Sequence, residues 1–136
     1  MRCHVVLSKE DMQIRINLIG GVLTAAICVS VIVLSFLSGV SVPSVVPYKD
    51  KGAHFLAYCA VGFSFYLWFF RFDEKKPFGF VGALLAGVLL GAIIEVLQPF
   101  FDRAFELVDL LMDAMGSLTG ALVAALTCFL VKKHFH

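Results

Sequence analysis

Four apolar runs, each long enough to cross a bilayer, limit what this chain can fold into. They lie near residues 16–38, 54–70, 78–98 and 107–131. An α-helix rises about 1.5 Å per residue, so a hydrocarbon core about 30 Å thick takes roughly 20 apolar residues. No water in that core can satisfy backbone N–H and C=O groups, and a helix satisfies them within its own segment. Composition agrees: 60% of the residues are hydrophobic and 15% charged, against about half and about a quarter in soluble domains. The expected fold is all-α: an integral membrane bundle of four transmembrane helices, forming a single domain over residues 1–136. The second run is the shortest of the four.

The breaks between runs carry the signals that end helices at an interface. Residues 39–51 contain Pro43 and Pro47, residues 71–77 read RFDEKKP, and residues 99–106 read PFFDRAFE. Basic residues are unevenly shared between alternate sides. Arg2, Lys9, Arg15, Arg71, Lys75, Lys76, Lys132 and Lys133 fall on one side; Lys49, Lys51 and Arg103 fall on the other. The positive-inside bias then predicts both termini in the cytoplasm, with the first and third loops outside. The N-terminal run has charged residues before it but lacks a small-residue cleavage site, so it is expected to stay as an anchor. A net charge of +1, spread over short clusters, gives no reason to expect a nucleic-acid partner. Cys3, Cys28, Cys59 and Cys128 are widely spaced with no C-x-x-C pair. They predict neither a disulfide nor a metal-thiolate site.

The polar residues within the runs are the informative ones, because an ionised side chain near a helix centre costs about 2.5–3.5 kcal/mol in hydrocarbon. The third and fourth runs each place such residues on one helical stripe. Asp109, Asp113, Gly116 and Gly120 follow one another at spacings of four, three and four residues, and Gly87, Gly91, Glu95 and Gln98 at four, four and three. His54, Tyr58 and Gly62 form a third stripe at spacings of four. With the predicted topology, all three stripes put their polar ends toward the outer boundary. The glycines have a packing explanation, since small-xxx-small patterns let membrane helices approach closely. Asp50 and Asp109 have a capping or helix-dipole explanation. Glu95 has neither, because it sits near the negative end of its helix and needs a partner or a proton. Arg103, Lys51 and His54 are placed to supply one. A structural ion-pair network is the plain alternative for Glu95, Arg103 and Asp113.

Taken together, these residues resemble the VanZ-like family of small bacterial membrane proteins. One block is Asp50-Lys51 followed by His54, Phe55 and Tyr58; the other is Glu95 with Gln98, then Arg103, Asp109, Gly116 and Gly120. Where the family pattern reads D-x-x-x-N-x-x-G, this chain has Asp113 at the amide position. An acid there donates a hydrogen bond only when protonated, which brings a proton shared between Glu95 and Asp113 into consideration. The resemblance implies a multi-pass protein of the bacterial inner membrane linked to the cell envelope. The founding member of the family is associated with low-level resistance to the glycopeptide teicoplanin.

Two functions follow as expectations. One is an outward-facing polar pocket that binds or modifies a lipid or lipid-linked envelope molecule, or a lipoglycopeptide. His54, Glu95, Arg103 and Asp113 would then be the reactive groups, with Asp50, Lys51, Tyr58, Gln98 and Asp109 binding. The other is a structural or accessory subunit that docks a partner membrane protein. A transmembrane proton or ion path is disfavoured, because the opposite halves of the helices carry Val, Leu, Ala and Phe. Metal binding by His54, Asp50, Glu95 and Asp113 has no sequence-local ligand spacing behind it. Neither a metal nor a cofactor is therefore expected.

Overall fold

The computed structural model describes residues 9–37, 49–70, 78–101 and 104–134. They form α1 (Lys9–Leu37), α2 (Lys49–Phe70), α3 (Phe78–Leu97), a 3-10 turn (Gln98–Phe101) and α4 (Leu107–His134). All four helices are long and apolar enough to cross a membrane, as expected for an all-α bundle. Arg103 and the side chain of Asp50 lie outside the described residues.

Several boundaries differ from the hydropathy reading, because hydropathy marks the hydrocarbon section of a helix and not its ends. The α1 helix starts at Lys9, ahead of residue 16, and carries Glu10 and Asp11 in its first turn, where acids suit the positive end of the helix. The α2 helix already includes Lys49, so His54 sits beyond its first turn. The whole α2 helix is 22 residues long and α3 is 20, but the apolar span of α2, Lys51–Phe69, is the shortest of the four at 19 residues, as expected. The α3 helix stops at Leu97 because Pro99 lacks an N–H and disfavours the α conformation at Gln98. The chain tightens there into a 3-10 turn. The α4 helix extends past residue 131, with Lys132, Lys133 and His134 complementing its negative end.

The α2, α3 and α4 helices pack around one another through the three predicted stripes, all of which are buried. The α2 and α4 helices run parallel: His54 meets Asp113, and further along Cys59 and Phe63 flank Gly120. A Cβ on Gly120 would fall onto the Cys59 carbonyl, so the two backbones touch only because the side chain is absent. The α3 helix runs antiparallel to α4, with Gly91 against Asp113 and, one turn on, Gly87 against Ser117. Beyond this, Tyr66, Ala83, Ala121 and Ala124 close an apolar end.

The α1 helix leans on α2. Trp68 lies over Gly20 and Gly21, while Thr24 Oγ1 donates to the Gly20 carbonyl at 2.9 Å and reaches the Ser64 carbonyl at 3.4 Å. Val31 packs with Tyr58, Val61 and Ile94. Leu18, Leu56, Leu89 and Leu126 point away from the bundle. Water would make such faces a liability, but in hydrocarbon they are the ordinary outer surface of a membrane helix.

Candidate functional site

The polar ends of the three stripes meet at one end of the bundle. His54 Nδ1 lies 2.9 Å from Asp113 Oδ1, a hydrogen bond between α2 and α4 buried on both sides. On the other side of the ring, His54 Nε2 stands 3.9 Å from Asp109 Oδ2. Lys51, one turn before His54 on α2, donates to Asp109 Oδ1 at 3.0 Å and to Glu106 Oε2 at 2.6 Å. Lys51 and His54 are three residues apart and Asp109 and Asp113 four, so each pair shares a face of its own helix.

Glu95 enters from α3 and is fully buried. Its Oε2 accepts the backbone N–H of Glu106 at 3.1 Å, at the entrance to α4. Gln98 is buried beside it, and with its amide nitrogen turned toward the carboxylate it donates to Oε1 and Oε2 at 3.1 and 3.2 Å. In the opposite orientation the amide oxygen would accept a hydrogen bond from the O–H of a neutral Glu95 carboxyl, so the geometry serves either state. The need for a partner is thus met by the 3-10 turn that follows the Glu95 helix and by the backbone of the next segment. Of the expected partners, Lys51 instead serves Asp109 and Glu106, and Arg103 lies outside the described residues.

Tyr58 is also brought to this end, 1% exposed. Its hydroxyl, Asp113 Oδ2 and Ser117 Oγ have no hydrogen-bond partner among the described residues. Gly91 makes room for the acid: a Cβ there would lie 2.7 Å from Asp113 Oδ2. The expected set His54, Lys51, Tyr58, Glu95, Gln98, Asp109 and Asp113 therefore converges from three helices. Asp109 is 3% exposed and ion-paired, so its role extends beyond decorating a first helical turn.

Some participants were not singled out from the sequence. Ser117 is fully buried and faces Gly87, and its place four residues after Asp113 could have disclosed it. Glu106 contributes both a carboxylate and a backbone N–H. The α1 helix, read as apolar only, supplies Val31, Leu34 and Ser35 to a cavity of about 270 Å³ shared with Ala53, His54, Ala57 and Tyr58 of α2. A larger cavity of about 450 Å³ around Trp68 is lined by no acid or histidine.

His54, Glu95 and Asp113 each offer one potential metal-ligand atom, and these atoms lie within 4.8 Å of one another. The absence of sequence-local ligand spacing led to an expectation of no metal, yet the helix packing collects the set from three separate segments.

Four apolar helices with their ionisable groups buried between them define a multi-pass membrane protein. The chain belongs to the VanZ/LLP1 family, whose model matches residues 13–130, nearly all of the four-helix unit. Neither a curated protein sequence nor a solved structure matches it.

Proposed function

We propose that this chain is a VanZ-like cell-envelope protein of the bacterial inner membrane, a single domain with both termini cytoplasmic. Its polar cluster faces outward and receives the head of an amphiphilic molecule, either a lipid-linked cell-wall intermediate or a lipoglycopeptide of the teicoplanin type. The observation carrying this reading is the cavity between α1 and α2, in which apolar Val31, Leu34, Ala53 and Ala57 lead to His54 and Tyr58. An acyl chain matches the first part and a polar head the second. Lys51, with its side chain 24% exposed, is the described cation placed to meet a phosphate. If the bound molecule is chemically modified, His54 and Glu95 are the groups suited to move a proton.

The test is His54→Ala and Glu95→Ala in the native host, with membrane levels checked by immunoblot. Loss of the teicoplanin phenotype, or of a change in envelope lipids, is expected while the protein persists. Unchanged susceptibility and unchanged lipids in both variants would sink the reading. Orientation is checked separately in a cysteine-free background. Cysteine at position 46 or 102 should label from outside in intact cells, and labelling only after permeabilisation would reverse the topology.

A second reading is supported by the same ion pairs, which join α2 to the start of α4. Here the cluster is a structural lock and the protein an accessory subunit. A stoichiometric partner recovered by cross-linking in native membranes favours that reading, and a purified monomer that binds lipid favours the first.

A further inference from the structure

We propose that His54, Glu95 and Asp113 are the three protein ligands of a divalent transition-metal ion, zinc foremost. Such a site is independent of which amphiphile the protein handles. It rests on four observations about these residues.

The first is the donor set. One imidazole and two carboxylates come from α2, α3 and α4, with their ligand atoms within 4.8 Å of one another. Three protein ligands plus an open position is the pattern of zinc sites that act on bound molecules, and the ligand bonds are about 2.0–2.2 Å. His54 Nδ1 and Asp113 Oδ1 face each other at 2.9 Å, and a metal would replace the hydrogen bond between them.

The second is charge. His54 is 7% exposed, and Glu95 and Asp113 are both fully buried, at a depth where uncompensated charge is expensive. A neutral imidazole, two carboxylates and a divalent cation sum to zero. The metal-free cluster reaches neutrality only by holding protons.

The third is the outer support of two of the ligands, His54 and Glu95, which metal sites need in order to orient their donors. With Nδ1 on the metal, the remaining ring N–H of His54 points toward Asp109, 3.9 Å away, which is itself held by Lys51. Glu95 is oriented by the Glu106 backbone N–H and the Gln98 amide.

The fourth points to a missing ligand. Asp113 Oδ2 and the Tyr58 hydroxyl are buried oxygens lacking a partner among the described residues. Buried polar atoms normally have one, and a hydrogen bond between His54 and Asp113 leaves both unexplained. A metal drawing on the Asp113 carboxylate, with a bound water reaching the Tyr58 hydroxyl, would engage both.

The experiment uses the full chain in nanodiscs, purified with a histidine-free tag and stripped of metal. Zinc is added with a competing chelator, bound metal is measured by mass spectrometry, and cobalt is added separately for its visible spectrum. About one zinc per chain is expected, along with cobalt absorption of a low-coordinate nitrogen and oxygen site. His54→Ala and Asp113→Asn should lose the metal, and Asp109→Asn should weaken affinity about 10–100-fold. His134→Ala, at the far end of α4, should bind as the wild type does. Substoichiometric zinc on the wild type overturns the proposal, as does zinc retained by both ligand variants. If the ligand variants fail to fold, the wild-type cobalt spectrum decides alone: a featureless octahedral signal counts against the site. Loss of the envelope phenotype in cells does not enter this readout, so the metal site and the amphiphile reading can fail separately.

Discussion

The two ends of the α2, α3 and α4 bundle solve the same packing problem with opposite chemistry. At one end Tyr66, Ala83, Ala121 and Ala124 bring the helices together through mostly small apolar side chains. Such packing needs only shape, because in a membrane the association of apolar helices rests on van der Waals contact. At the other end His54, Glu95, Gln98, Asp109 and Asp113 are just as deeply buried, and each must be matched by a donor, an acceptor or an opposite charge. Between the two ends the helices keep the same close approach, set by Gly87, Gly91, Gly116 and Gly120. The polar end is therefore not a looser region into which water happens to reach. Its cost is borne inside a packed interface, which is why it is read as the functional end and not as a frayed boundary.

Substitutions can break or sharpen this contrast. The largest effect is expected where both ends depend on the same contact. Gly120→Leu drives a side chain into the Cys59 carbonyl, and because backbone cannot step aside the loss should exceed about 3 kcal/mol. Unfolding in detergent would show it as loss of the folded species, and a well-folded variant would mean that the helices are not in this register.

His54→Ala comes next. It leaves Asp113 without its buried partner and should cost about 3–5 kcal/mol. The double substitution His54→Leu with Asp113→Leu should recover most of that stability while abolishing any envelope phenotype, making the polar end resemble the apolar one. If the double variant is as unstable as the single, the polar pair is a stability device after all.

In the metal-free protein, Tyr58→Phe should change stability by less than about 1 kcal/mol, in the stabilising direction, because it deletes a buried hydroxyl lacking a partner among the described residues. A large loss would reveal a partner for that oxygen. Smallest of all is Leu122→Ala on the outward face of α4, where the residue is 52% exposed. It should stay within about 0.5 kcal/mol, and the same unfolding assay checks it.

Much of the fold could be read from local pattern. The three stripes ending in His54, Asp109 and Gln98 were visible because residues three or four apart must share a helical face, and all of their members are buried. Helix ends were less legible. Lys9 to Arg15 and Lys49 to Gly52 are polar segments that continue a helix without adding hydropathy. The pairings were the least legible part. Topology makes Lys51 an expected partner of Glu95, but with α2 beside α4 it meets Asp109 instead, and the burial of Ser117 depends on Gly87 lying against it.

The amino-acid sequence by itself determined that this is a membrane protein of four helices, that three of them carry a stripe of small and polar residues, and that Glu95 and Asp113 sit where charge is costly. Those properties depend on composition and on the 3.6-residue period, which act within one segment. Only the tertiary structure decided that His54 meets Asp113, that Lys51 serves Asp109 and Glu106, that Glu95 rests on the Glu106 backbone, and that three helices contribute one potential metal ligand each. Those outcomes turn on the rotation and register of one helix against another. Register is set by contacts between residues far apart in the chain, such as Cys59 with Gly120, and no local period encodes it.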